Sequence, residues 1–183
     1  MTTSKRDKNK QRRAPVTPKR HRSAVIDLPN DREFVITREF DAPIAFVFDV
    51  FTTRDRAEMA RAEGEELTVW ESDLRVGGNY HHVFVGDDGT EASFHGAFLE
   101  IEPPTRIVAT WLYNGWPDAE AVESIELHET QGVTTLTYRL AFRDQAGRDH
   151  ITNNANYNGI LANFDNLEDL LSSRLNPSGT VSG

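Results

Sequence analysis

The sequence predicts an α+β protein: a curved antiparallel sheet of about six to seven strands wrapped on one long C-terminal helix, with two short helices after the first strand. Three observations carry this. Apolar residues recur with helical period only in residues 41–63 and 151–174. Between them, residues 65–143 form short runs that alternate polar and apolar and are separated by turn chemistry. There is no internal repeat, and the strands come in succession, so hairpins in a meander are expected.

Each element follows from local chemistry. Residues 33–40, EFVITREF, are rich in branched and aromatic side chains and read as a strand. In DAPIAFVFDVFTT, Ile44, Val47, Phe48 and Phe51 recur at i, i+3, i+4 and i+7, with Asp41 as the cap and Pro43 tolerated in the first turn. That pattern is a short amphipathic helix. RDRAEMARAE prolongs the helical pattern until Gly64 ends it. The strand region is then broken at VGG (76–78), GDDG (86–89), EPPT (102–105), NGWPD (114–118) and ETQG (129–132). The final segment, ITNNANYNGILANFDNLEDLLSSR, places Tyr157, Ile160, Leu161, Phe164, Leu167 and Leu171 on one face and is the longest helix. Its asparagines, including Asn163 and Asn166, are expected to cover the solvent face.

Charge divides the chain. Residues 1–23 hold nine Lys and Arg against Asp7, a charge of +8, which leaves −17 for the rest of a chain whose net charge is −9. Residues 1–30 are expected to form a disordered basic tail, 31–175 a ligand-binding domain, and 176–183 a second disordered tail. The basic tail has the chemistry for weak proximity to DNA, although no aromatic residue interleaves its charges, and the acidic body argues against a DNA groove on the domain. The absence of cysteine excludes disulfides and thiolate metal sites and fits a reducing cytoplasm. With no long apolar run and no apolar core near the N-terminus, neither a membrane span nor a signal peptide is expected, so the chain reads as a soluble, cytoplasmic monomer.

A bent sheet gripping a helix leaves a cavity suited to a small ligand. In RIVATWLY (106–113), Ile107, Ala109, Trp111 and Tyr113 share one face, and in VTTLTYRLAF (133–142) Leu136, Tyr138, Leu140 and Phe142 do. Both sets are expected to point inward. In NYHHVFV the phase stays open between Tyr80, His82, Phe84 and His81, Val83, Val85. The stretch WLYNGWPD sets Trp111, Tyr113 and Trp116 around Gly115, with Asn114 shaping the turn, which brings aromatic area to the cavity mouth.

Motifs for common catalysis are missing: there is no P-loop, dinucleotide fingerprint, HExxH, nucleophile elbow or EF-hand loop. His81 and His82 are adjacent on a strand and therefore point apart, which makes them a poor metal pair, and no metal or cofactor is expected. Asp87, Asp88 and Gly89 read as hairpin chemistry. The best acid–base option is His82 or His95 with Tyr138.

FDAPIAFVFDVFTT, DLRVGGNY, DDGTEASFHGAFLEIEPPTRIVATW and NGILANFDNLEDLL resemble the START-like, helix-grip (SRPBCC) superfamily, in the branch that includes the Aha-type activators of a chaperone ATPase. The chain departs from that branch where a tryptophan is usual: the second helix reads RAEMARAEGEE, and Ile160 stands in the terminal helix. Within the branch, the loop YNGWP resembles the calicheamicin-type enediyne self-resistance proteins. That resemblance implies a stoichiometric, non-enzymatic antibiotic-resistance function, in which an activated enediyne is held by Trp111, Tyr113, Asn114, Trp116, Tyr138 and Phe164. Its diradical then takes a hydrogen atom from the backbone of Gly115, where the chain is cleaved. A polyketide cyclase-type enzyme and a chaperone-activating interaction module are the alternatives.

Overall fold

In the computed structural model, which describes residues 24–61, 64–153 and 156–175, eight strands form one antiparallel sheet. They are β1 (Val25–Asp27), β2 (Glu33–Phe40), β3 (Glu65–Ser72), β4 (Asn79–Gly86), β5 (Glu91–Glu102), β6 (Arg106–Tyr113), β7 (Trp116–Thr130) and β8 (Val133–Phe142). The spatial order is β1-β2-β8-β7-β6-β5-β4-β3. β3 to β8 are therefore a continuous meander, and β2 closes onto β8 with Ile36 opposite Tyr138. Two helices, α1 (Ile44–Thr52) and α2 (Asp55–Ala60), link β2 to β3, and α3 (Gln145–Asn153) and α4 (Asn156–Leu175) follow β8.

This is the α+β architecture the sequence predicts, with eight strands rather than six to seven. The extra strand, β1, lies inside the segment expected to be tail. It has three residues, too few to show a period, and exists because β2 offers it an edge, with Ile26 opposite Ile36. Residues 1–23 and 176–183, the remainder of the two expected tails, lie outside the described residues.

The helical expectations need two corrections. α3 is a separate helix ahead of α4, and its sequence QAGRDHITN offers little apolar period because only one large apolar side chain, Ile151, is buried. Its start is fixed by Asp144, whose Oδ1 accepts the Gly147 N–H at 3.0 Å. α1 begins at Ile44, two residues later than a cap at Asp41 would place it and with Pro43 just ahead of its first turn; its first N–H donates to Glu129 Oε2 of β7 at 2.8 Å, so a carboxylate from across the fold serves as the cap in place of Asp41.

One core joins sheet and helices. Phe34, Ile36, Ile107, Ile125, Leu136 and Leu140 from the sheet meet Val47 and Val50 of α1 and Phe164, Leu167 and Leu171 of α4. Arg38 of β2, only 1% exposed, enters this core beside the Phe40 ring. Its guanidinium donates to Asp165 Oδ1 at 2.6 Å and to Glu168 Oε2, two carboxylates one turn apart on α4. That clamp fixes the distal half of α4 against the sheet. Among the described residues, no helix is long and apolar enough to cross a membrane.

Candidate functional site

Between the sheet, α2 and the proximal part of α4 lies a cavity of about 490 Å³. The strand period decides its walls. On β6, Trp111 and Tyr113 face it, on β5 Phe94 does, and on β4 Tyr80, His82 and Phe84 do, which resolves the open phase of NYHHVFV. Phe94 stacks on Tyr113 with ring centroids 5.0 Å apart and lies tilted against Trp111 at 5.8 Å, so the three rings form one continuous apolar wall. Across from them, Tyr138 of β8 meets the edge of Phe164 of α4 at 5.8 Å.

The other end is polar. Glu123 of β7 is 2% exposed and accepts a charge-assisted hydrogen bond from Arg56 Nη2 of α2. The Tyr138 hydroxyl is within hydrogen-bonding reach of the same carboxylate. Tyr80 donates to the Thr110 carbonyl at 2.9 Å, and His82 lies flat on Trp70 at 4.0 Å. Burial, reinforced by the charges of Arg56 and His81, lowers the His82 pKa to about 3. Burial, with Glu123 adding to it, raises both Tyr80 and Tyr138 above the usual tyrosine range. For Arg56, burial works against the charge, but Glu123 outweighs it and holds the pKa above the ordinary guanidinium value. At neutral pH, His82 and the two tyrosines are therefore neutral hydrogen-bonding groups; the Arg56–Glu123 pair brings opposite charges to the lining, and Arg61 and Glu65 add one more of each sign.

A model of the activator of Hsp90 ATPase homolog 1-like proteins matches residues 41–172. The chain belongs to this family. Solved structures agree on the fold. A protein from Rhodobacter sphaeroides superposes with a TM-score of 0.76 at 20% identity, covering 82% of this chain and 99% of its own. Ms6760 from Mycobacterium smegmatis gives 0.69 at 18% identity over 87% and 98%. CalU16 from Micromonospora echinospora gives 0.56 at 24% identity over 83% and 85%. These likenesses carry the helix-grip fold. A search of curated proteins by sequence finds no match.

Against this family frame, the residues singled out in the sequence separate into two groups. Trp111, Tyr113, Tyr138 and Phe164 line the cavity together. Asn114 and Trp116 do not. Asn114 is bound into the sheet: its backbone N–H donates to the Ser93 carbonyl at 3.0 Å, its Oδ1 accepts from the Ser93 N–H at 2.9 Å, and its Nδ2 donates to the Glu91 carbonyl at 3.3 Å. Trp116 packs edge-on against His150 of α3 at 3.9 Å. The turn itself is only Asn114–Gly115, because Trp116 already pairs with Tyr113 and opens β7. Between Trp111 and Tyr113 the register with β7 shifts, so residues 117–120 bulge away from the ladder around Pro117.

Gly115 is exposed, and neither it nor Asn114 has positive φ, so the Asn-Gly pair is not making the primed turn its sequence suggests. Space favours glycine, because any side chain here would push the Tyr113 ring aside. A Cβ at this position would lie 2.4 Å from Tyr113 Cε1 and 2.6 Å from its hydroxyl oxygen. The Tyr113 ring thus folds back over the bare Cα of Gly115 while also forming cavity wall.

The acid–base candidates also separate. His82 and Tyr138 share the cavity, whereas His95 is exposed and sits edge-on to His81 at 6.3 Å. His81 in turn shares a 3.0 Å hydrogen bond with Ser93 Oγ, so the two adjacent histidines do point apart. Among the described residues, no group of three His, Cys, Asp or Glu is placed to hold a metal. Of the asparagines expected on the solvent face, Asn163 turns a half-buried side chain to the cavity, and Asn166 stands exposed at its rim; the side chains of Asn153, Asn154, Asn156 and Asn158 lie outside the described residues. The sequence reading missed Arg56 and Glu123. Glu123 carried a usable signal, since in AVESIEL it occupies the inward phase with Ala121, Ile125 and Leu127, and a lone charge among apolar neighbours marks a buried polar site.

Proposed function

We propose that this family member is an enediyne self-resistance protein, which binds the drug in the cavity and quenches its activated form stoichiometrically at Gly115. The observation that carries the reading is the double contact of Tyr113: its ring is cavity wall on one side and lies against the Gly115 Cα on the other. A flat guest held by Phe94, Trp111 and Tyr113 lies one ring away from Gly115, and a rotation of the Tyr113 side chain uncovers a backbone carbon that has no side chain of its own.

Thiol reduction converts an enediyne to a carbon diradical. One Cα–H bond of Gly115 breaks homolytically as one aryl C–H bond forms, the second aryl radical takes its hydrogen from the activating thiol, and the carbon radical left at Gly115 is delocalised over the two flanking amides. Dioxygen adds to that radical, the peroxyl group takes a hydrogen atom from the thiol, further thiol reduces the hydroperoxide to a Cα hydroxyl with release of water and disulfide, and the N–Cα bond then breaks to leave an amide on one fragment and a glyoxyl group on the other. The neutral state of His82 and Tyr138 favours binding over proton transfer, although their meeting in the cavity is the feature a cyclase-type enzyme would use.

Purified protein mixed with thiol-activated enediyne is expected to yield two fragments that meet at Gly115, with no more than one drug quenched per chain. Gly115→Ala is expected to abolish that cut. An intact chain after drug aromatisation refutes the proposal, and product accumulating in excess of protein would favour the enzymatic alternative.

A further inference from the structure

The polar end of the cavity has a donor to spare. An arginine carries five N–H donors in a planar fork. Arg56 uses Nη2 on Glu123 Oε1. Among the described residues its Nε and Nη1 have no hydrogen-bond partner, and they are not among the buried unpartnered atoms, which are Arg38 Nε and His82 Nε2. The Arg56 side chain is 22% exposed, and it lines the cavity. The Phe51 ring, 5.6 Å from the guanidinium carbon, and the Glu123 carboxylate fix the fork in place from two directions. Unlike Arg56, Tyr80 is already committed to the Thr110 carbonyl.

We propose that Arg56 determines the cavity's ligand specificity, with Nε and Nη1 donating to a neutral oxygen acceptor, such as a ketone or ester carbonyl, on a ligand whose flat apolar body lies against Phe94 and Trp111. The inference rests on the cavity being the ligand site, as in the function proposed above. The acceptor is neutral because Glu123 already balances the guanidinium charge, so a ligand carboxylate entering this end would lose its water without meeting net positive charge. A purely apolar ligand would strip water from Nε and Nη1 and give nothing back, which is how a site built for a hydrogen bond discriminates.

Three naphthalenes of similar shape test this: 2-acetylnaphthalene, 2-ethylnaphthalene and 2-naphthoate, titrated calorimetrically into the full chain. The ketone is expected to bind about tenfold more tightly than the ethyl compound or more, with the carboxylate no tighter than the ketone. Arg56→Met is expected to erase the preference for the ketone, weakening the ketone and tightening the ethyl compound until their Kd values agree within about twofold. Because a single substitution strands Glu123, the double variant Arg56→Met/Glu123→Leu replaces the pair with apolar side chains and must show the same loss of preference. Equal binding of ketone and ethyl compound by the unaltered protein overturns the inference and leaves the cavity reading intact. Tightest binding of the carboxylate overturns it in favour of an anion site. Failure of all three to bind overturns both.

Discussion

Acidification tests the electrostatics of the cavity directly through His82. Its pKa is about 3 in the folded chain, against about 6.5 for an unperturbed histidine. The unfolded chain therefore takes up a proton near pH 6.5 that the folded chain refuses until about pH 3, so the unfolded state binds more protons throughout that interval. Stability is fully present above pH 6.5, falls as pH drops below it, and stops falling through this group near pH 3. At pH 5, linkage gives a loss of about 2 kcal/mol relative to pH 8 from this residue alone. Urea denaturation of the unaltered protein and of His82→Gln at both pH values isolates it. Carboxylates titrate alike in the two proteins, whereas glutamine has no proton to gain, so the variant's stability is expected to fall by about 2 kcal/mol less between pH 8 and pH 5. Equal pH dependence in both proteins would refute the claim that burial and Arg56 hold His82 neutral.

Two further substitutions probe the structure around the site. Arg38→Leu removes the guanidinium from between Asp165 and Glu168 and unfastens α4, and since both carboxylates keep partial access to water the loss is expected to be about 2–4 kcal/mol, read by urea denaturation at neutral pH. Glu123→Gln keeps the shape of the side chain but leaves the Arg56 charge uncompensated. Because Arg56 reaches the cavity, the expected cost is about 2–3 kcal/mol, toward the low end for a broken buried pair, and thermal unfolding at pH 7 measures it.

Strand and helix periods are properties of consecutive residues, and they were legible where the pattern was long enough to repeat. RIVATWLY and VTTLTYRLAF point the residues inward that their alternation indicated, and α4 buries Phe164, Leu167 and Leu171 as its spacing required. Elements without a repeat were not legible: β1 is three residues added to an open edge, and α3 buries little beyond Ile151.

The cavity's aromatic wall was set by the sequence itself, because alternation along a single strand already commits Trp111 and Tyr113 to one face. Its polar end was a matter for the tertiary structure. Arg56 and Glu123 are 67 residues apart, and only the packing of α2 over the sheet brings them together. The same holds at Gly115. An Asn-Gly pair announces a turn from its own chemistry, but the preference for glycine there arises from the Tyr113 ring lying across its Cα, and no local pattern records where a neighbouring side chain comes to rest.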